Sequence, residues 1–76
     1  MQVKYFGMIA EWAGTDESSL ELKGASIEGL KAKLEHDIPL LRGITYQVAV
    51  NQSIALPETT LNENDEVALL PPFAGG

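Results

Sequence analysis

A chain of 76 residues with no cysteine and a net charge of −6 excludes several classes of protein. A domain this small buries only about 60 to 65% of its unfolded surface, which leaves little room for a deep active site of its own. Without cysteine there can be no disulfide, no thiolate metal site and no persulfide on a side chain. Eleven acids against five bases argue against nucleic-acid binding, because neutralising phosphates requires clustered Lys and Arg. The charge suits a basic partner surface, and it would equally serve solubility alone.

The sequence also predicts no association with membranes. No apolar run approaches the ~18 residues needed to cross a bilayer. The first residues contain no basic segment followed by an apolar one, as a secretory signal would. We therefore expect a cytoplasmic protein.

The first part of the chain predicts two strands around a short helix. Residues 1–6 alternate polar with apolar or aromatic side chains, as a strand does, and end at Gly7. Residues 8–13 carry apolar side chains at helical spacing, and Gly14 closes that turn. Residues 18–22 alternate again, which predicts a second strand paired with the first.

The rest of the chain predicts the main helix and two more strands. Ser26 is a suitable N-cap for a helix over residues 27–36, which must end before Pro39. Residues 45–51 alternate as a third strand, and residues 66–70 form the last. The order strand, strand, helix, strand, strand places the first and last strands side by side in the middle of a mixed sheet. We predict an α+β fold of the β-grasp (ubiquitin-like) type, with four to five strands, over residues 1–70.

Residues 71–76 are predicted to be an appended tail with a reactive end. Pro71 and Pro72 stop strand pairing and stiffen the chain, while Gly75 and Gly76 form a tip without side chains that could pass through a narrow channel. Six extended residues span at most roughly 20 Å, enough to reach a buried site in another protein. The terminal carboxylate is therefore the candidate reactive group.

Four segments together resemble the small, sulfur-carrier subunit of molybdopterin synthase, over nearly the whole chain. The most specific of them is the strand that runs through Pro-Pro to a terminal Gly-Gly, in residues 65–76. Phe73 is bulkier than the aliphatic residue common there in the family. The others are residues 3–7, the turn at residues 13–15 and residues 49–52.

The resemblance implies a carrier cycle at Gly76. A ubiquitin-activating-type adenylyltransferase would use ATP to adenylate the terminal carboxylate, and a sulfur donor would convert it to a thiocarboxylate. The tail would then enter the large subunit of the synthase, where two sulfur transfers convert cyclic pyranopterin monophosphate to molybdopterin. The large subunit would supply the catalytic groups, so this chain would be no enzyme on its own and would bind no cofactor or metal.

The resemblance also implies which residues meet the partner. The tail that is inserted would comprise Pro71, Pro72, Phe73, Ala74 and Gly75, ahead of Gly76. On the domain, Phe6, Ile54 and Leu70 match positions where the family's sheet meets the large subunit, and an exposed apolar patch commonly marks such a site. The alternative is that these three belong to an ordinary core.

Other residues have simpler interpretations. His36 is expected near the end of the main helix, where a cation complements the helix dipole, and no second His or Cys supports a metal. Trp12 and Tyr46 are expected to be core or rim aromatics. Asp65 and Glu66, as adjacent strand residues, would point to opposite faces rather than form a catalytic pair.

Two other classes of function remain open. One is a sulfur carrier for thiamine or tRNA thiolation, or a ubiquitin-like modifier joined to lysines through the same glycine. The other is a β-grasp binding module without covalent chemistry.

Overall fold

The computed structural model describes residues 1–21 and 24–72, and these form one mixed sheet with helices. A 3₁₀ turn at Pro39–Gly43 follows the longer helix. In chain order the elements are β1 (Gln2–Tyr5), α1 (Met8–Ala13), β2 (Glu17–Ser19), α2 (Ile27–Asp37), β3 (Gln47–Val50), β4 (Ser53–Ile54) and β5 (Glu66–Leu70).

The sheet has the strand order β2-β1-β5-β3-β4. The central strands β1 and β5 run parallel, in a register that pairs Val3 with Val67 and Tyr5 with Leu69. The other neighbours are antiparallel. The first and last strands thus meet in the middle of a five-stranded sheet, and the predicted β-grasp fold is confirmed.

The core lies between one face of the sheet and α2. Every second residue of β1 and β5 is buried, and these meet the apolar stripe of α2, as period-two strands and a period-3.6 helix require. The side chains with 1% exposure or less are Val3, Ile9, Leu30, Leu34, Leu41, Leu61, Val67 and Leu69. Within residues 1–21 and 24–72, the opposite face of the sheet carries no helix: α1 and α2 bury their apolar residues in the core on the first face.

The ends of α2 follow the local rules that its sequence predicted. Ser26 is extended, and its hydroxyl accepts a hydrogen bond from the Gly29 N–H at 3.2 Å. The helix ends at Asp37, two residues before Pro39 and one beyond the predicted end. Pro39 then begins the 3₁₀ turn, which had not been predicted and which buries Leu41 completely.

Strand β2 is shorter and earlier than predicted. It covers Glu17–Ser19 rather than residues 18–22. The ladder continues by one bond, from the Leu20 N–H to the Met1 carbonyl at 2.9 Å, but Leu20 itself is not in the strand. Leu22, the second apolar residue of the predicted alternation, lies outside the described residues.

The hairpin between β3 and β4 turns through Asn51 and Gln52, whose φ angles are 51° and 72°. Two positive φ angles are the requirement of a type I′ turn, which matches the twist of paired strands. The Asn51 side chain ties this turn to the start of β5, because its amide donates to Asp65 Oδ1 at 3.0 Å and its carbonyl accepts from the Glu66 N–H at 3.1 Å.

Asp65 lies in the turn just before β5, outside the strand that the sequence predicted at residues 66–70. Besides Asn51, it accepts a hydrogen bond from the Asn62 N–H at 2.8 Å. These bonds, the one from Asn62 first, lower the pKa of Asp65 from its ordinary 3.8. Its carboxylate closes the loop before β5, so its role is structural.

Candidate functional site

One row of side chains crosses the helix-free face of the sheet. Lys4 pairs with Ala68, Ala68 with Ala49, and Ala49 with Ile54, so the four share one face across four strands. Ile54 is 58% exposed at the outer end of the row. Among the described residues, Ala68 and Ala49 form the surface between Lys4 and Ile54, and their short side chains leave it shallow.

A second row lies beside the first, toward the C-terminal end of β5. Leu70 pairs with Gln47 on this face. Continuing the alternation of β1 by one residue places Phe6 next to Leu70, because Tyr5 pairs with Leu69. Phe6 is 45% exposed, and Leu70 is partly buried.

The three residues predicted to meet a partner therefore lie on the same face. Together with the two alanines they form an apolar surface, here called the open patch, made of Phe6, Ala49, Ile54, Ala68 and Leu70. Phe6 and Ile54 are exposed and are not members of the core. Ala49 is buried and Ala68 and Leu70 are half-buried, so the exposed apolar area of the open patch comes mainly from Phe6 and Ile54. Exposed apolar side chains on one face of a sheet commonly mark a binding site.

Charged side chains border the open patch. Lys4 lies 3.3 Å from the carboxylate of Glu66, and Glu17 is its cross-strand partner on β2. An exposed ion pair of this kind contributes about 1 kcal/mol or less to stability. With two acids around one base, this border is acidic, in keeping with the net charge of the chain.

The tail leaves the domain beside the open patch. Pro71 follows Leu70 directly and is partly buried, whereas Pro72 is exposed. The Pro71 ring lies against Gly7: a Cβ built on Gly7 would be 3.3 Å from Pro71 Cγ. Phe73, Ala74, Gly75 and Gly76 lie outside the described residues, so the predictions about the tip remain predictions.

A groove of about 400 Å³ opens on the other side of Ile54, between α2 and the β3–β4 hairpin, and sequence reasoning missed it. Its walls come from distant parts of the chain, so no local pattern could have indicated it. Its lining includes Ile27, Lys31, Tyr46, Val48, Ile54 and Pro57.

Tyr46 is held firmly at the wall of this groove. Its hydroxyl donates to Glu35 Oε2 at 2.6 Å, and the Lys31 ammonium lies 4.9 Å from its ring centroid. Burial, followed by the hydrogen bond to Glu35 and the charge of that carboxylate, raises the pKa of Tyr46 well above its usual range. Tyr46 is thus a neutral core aromatic, in line with the prediction.

Over residues 1–21 and 24–72, no three His, Asp or Glu side chains are grouped so that they could hold a metal ion. His36 lies in the last turn of α2, as expected. Among the described helices, none is long and apolar enough to span a bilayer.

Comparison with known proteins agrees with the fold and with the family resemblance. The model of the ThiS family matches residues 3–76. The molybdopterin synthase sulfur carrier subunit of Chlamydomonas reinhardtii is 39% identical, and the alignment covers both chains completely. The protein with the same description from Mycobacterium tuberculosis is 38% identical over all of this chain and 96% of its own.

Solved structures include two kinds of similar protein. A Pyrococcus furiosus protein described as a putative molybdopterin converting factor, subunit 1, superposes with a TM-score of 0.86 at 26% identity, over 93% of this chain and 94% of its own. Small archaeal modifier protein 1 from Methanosarcina acetivorans has a TM-score of 0.79 at 27% identity, over 99% and 94%.

Proposed function

Because the chain belongs to the ThiS family, we propose that it is a sulfur carrier and acts as the small subunit of a molybdopterin synthase. Its terminal carboxylate on Gly76 would be converted to a thiocarboxylate, and the sulfur would be given to a pterin precursor in the active site of a large subunit. The relatives described as molybdopterin synthase sulfur carrier subunits match the full length of the chain, which supports this role.

The chemistry explains why such a carrier needs neither a cysteine nor an active site. A carboxylate is a poor electrophile until it carries a good leaving group. An oxygen of Gly76 attacks the α-phosphate of ATP on an adenylyltransferase and displaces pyrophosphate. Sulfide-level sulfur from a donor then displaces AMP and leaves a thiocarboxylate. This sulfur replaces an oxygen substituent on a carbon of the pterin precursor, and water then cleaves the acyl–sulfur bond and restores the carboxylate.

The observation that carries the proposal is the position of the open patch beside the root of the tail. A partner that covers Phe6, Leu70 and Ile54 would hold the domain next to the point where Pro71 leaves the sheet. Such a partner would receive the tail by an intramolecular step, with the gain in effective concentration that tethering gives. The acidic border of the patch favours a basic rim on that partner. A reaction that uses ATP and reduced sulfur suits the cytoplasm, to which we assign the chain.

Two tail variants test this proposal. A chain that ends at Gly75, or that continues one residue beyond Gly76, should lose sulfur transfer completely, because the reacting carboxylate is missing or displaced. The melting temperature should stay unchanged, as it does for most surface changes. A chain extended by one residue before Met1 is the matched control. Full transfer by the C-terminally extended chain would contradict the proposal.

Gly75→Ala tests whether the tail enters a narrow channel. The added methyl group restricts the backbone and fills space, so we expect transfer to fall more than about tenfold. Wild-type transfer at unchanged binding would show instead that the receiving site is open.

A second candidate is a protein modifier, favoured by the likeness to small archaeal modifier protein 1. The same acyl adenylate would then react with a lysine amine and form an isopeptide bond. Incubation with ATP and the adenylyltransferase in a cell extract separates the two: conjugates of higher mass that depend on Gly76 indicate a modifier, and a free chain that gains sulfur indicates a carrier.

A further inference from the structure

Gly7 and Pro71 are in contact where the tail leaves the sheet, and no local sequence pattern predicts this contact. The parallel register of β1 and β5 pairs Tyr5 with Leu69, so two residues further on Gly7 and Pro71 lie level with each other. Pro71 is partly buried there, whereas Pro72 beyond it is exposed. Pro71 is therefore the point at which the end of β5 contacts the loop after β1.

Gly7 is suited to this contact in two ways. Its φ of 56° and ψ of −134° belong to a region of backbone space that is essentially restricted to glycine. In addition, a Cβ at this position would lie 3.3 Å from Pro71 Cγ and 3.9 Å from Pro71 Cβ, the first of which is tighter than ordinary contact. An alanine here would require the proline ring or the backbone to shift by a few tenths of an ångström.

Gly7 is also anchored on its other side. Its carbonyl accepts hydrogen bonds from the N–H groups of Ala10 at 3.1 Å and Glu11 at 3.4 Å, in the first turn of α1. The Phe6 carbonyl accepts one from Ile9, a fully buried residue, at 3.1 Å. The surface that Pro71 touches is therefore fixed to the core.

We propose that Gly7 is a positioning residue that sets, through Pro71, the direction in which the C-terminal tail leaves the sheet; this rests on the proposed function. Proline has a fixed φ of about −65°, so a ring held in place determines where the next residue begins. The five residues after Pro71 span up to about 17 Å when extended. A change of about 20° at the root would move an extended tip by about 6 Å.

If this contact sets the direction of the tail, breaking it should slow sulfur transfer without weakening binding to the large subunit. Gly7→Ala should slow single-turnover sulfur transfer within the complex about tenfold, because a misplacement of about 1 Å at a reacting group can cost up to ~100-fold. The Kd for the large subunit should change less than about twofold, since the apolar side chains of the open patch are unaltered.

Gly14→Ala is the control for placing alanine at a positive φ. Gly14 has a φ of 77° at the other end of α1, and a Cβ there would meet nothing within 4 Å. This variant should keep both the Kd and the transfer rate within about twofold of the wild type. The unfolding free energy of each variant is measured in parallel, because the conformation of Gly7 is less accessible to alanine than that of Gly14.

Pro71→Ala tests the same contact without a positive φ, in case Gly7→Ala does not fold. It removes the ring atoms that face Gly7 and should also slow transfer several-fold. Combined with Gly7→Ala, it should cause no greater loss than the slower single variant, since both changes break one contact. Losses that multiply would show two independent effects and overturn the proposal.

The contact between Gly7 and Pro71 can be measured by NMR in the free chain, without the large subunit. The wild-type chain should show a nuclear Overhauser contact between the Gly7 Hα and Pro71 Hγ protons. The proposal fails if this contact is absent, or if Gly7→Ala and Gly14→Ala transfer sulfur equally fast. A wild-type chain that accepts no sulfur at all would instead refute the proposed function, and the positioning role with it.

Discussion

Replacing Ile54 with glutamine should weaken binding to the large subunit and spare the fold. Ile54 is 58% exposed, so its substitution removes little from the core. Burying a whole Ile side chain is worth about 1.5–3 kcal/mol, and the exposed part accounts for about 1–2 kcal/mol on binding. A glutamine amide covered without a partner adds about 1 kcal/mol to the loss. The expected total of about 2–3 kcal/mol corresponds to a roughly 30- to 150-fold higher Kd.

Leu40→Gln provides a matched control for this change. Leu40 is also 58% exposed, but it lies in the 3₁₀ turn that follows α2 and not on the open patch. Isothermal titration calorimetry with the large subunit should give a wild-type Kd for Leu40→Gln and the weakened value for Ile54→Gln. Circular dichroism and urea unfolding check that both are folded. Equal affinities for the two variants would refute the assignment of the open patch as the interface.

Three further predictions concern the domain itself. Gln52→Gly should raise the free energy of unfolding in urea by about 0.5–1 kcal/mol, because a type I′ turn favours glycine at this positive φ; a decrease would contradict that geometry. Tyr46→Phe should cost about 1 kcal/mol through loss of the bond to Glu35. Tyr46→Phe should also flatten the pH dependence of the unfolding free energy above pH 10. Because the pKa of Tyr46 is raised in the folded protein, the stability that this residue contributes is present below pH 10.0 and is lost as the pH rises beyond it. Asp65→Asn should flatten the dependence of the unfolding free energy on pH in the acid range. Because the pKa of Asp65 is lowered in the folded protein, the stability that its carboxylate contributes is present above pH 3.8 and is lost as the pH falls below it. An unchanged midpoint of acid unfolding would exclude this contribution.

Local sequence patterns predicted those helices and strands that have a clear hydrophobic period or a capping residue. The residues of α2 and β5 show this, since Ser26 begins the helix, Pro39 limits it, and alternation in β5 matches its buried face. Strand β4 has only two residues and no period to detect. The predicted strand over residues 18–22 has the wrong bounds, because the alternation of polar and apolar residues continues in the sequence beyond Ser19, where strand β2 ends.

The sequence predicted only part of the candidate site, because part of it depends on how distant strands pair. Phe6 and Ile54 were expected at a partner surface through family resemblance, and the structure places them on one exposed face. The contact between Gly7 and Pro71 depends on the register between the first and last strands. A register between strands more than 60 residues apart in the chain is decided by tertiary packing and not by local sequence.

The most direct test of the proposed function is the mass of the chain after incubation with ATP, the adenylyltransferase and a sulfur donor. We predict a gain equal to one sulfur minus one oxygen, located on Gly76 by tandem mass spectrometry and lost again when the large subunit and pterin precursor are added. An unchanged mass, or the same gain in a chain that lacks Gly76, would contradict it.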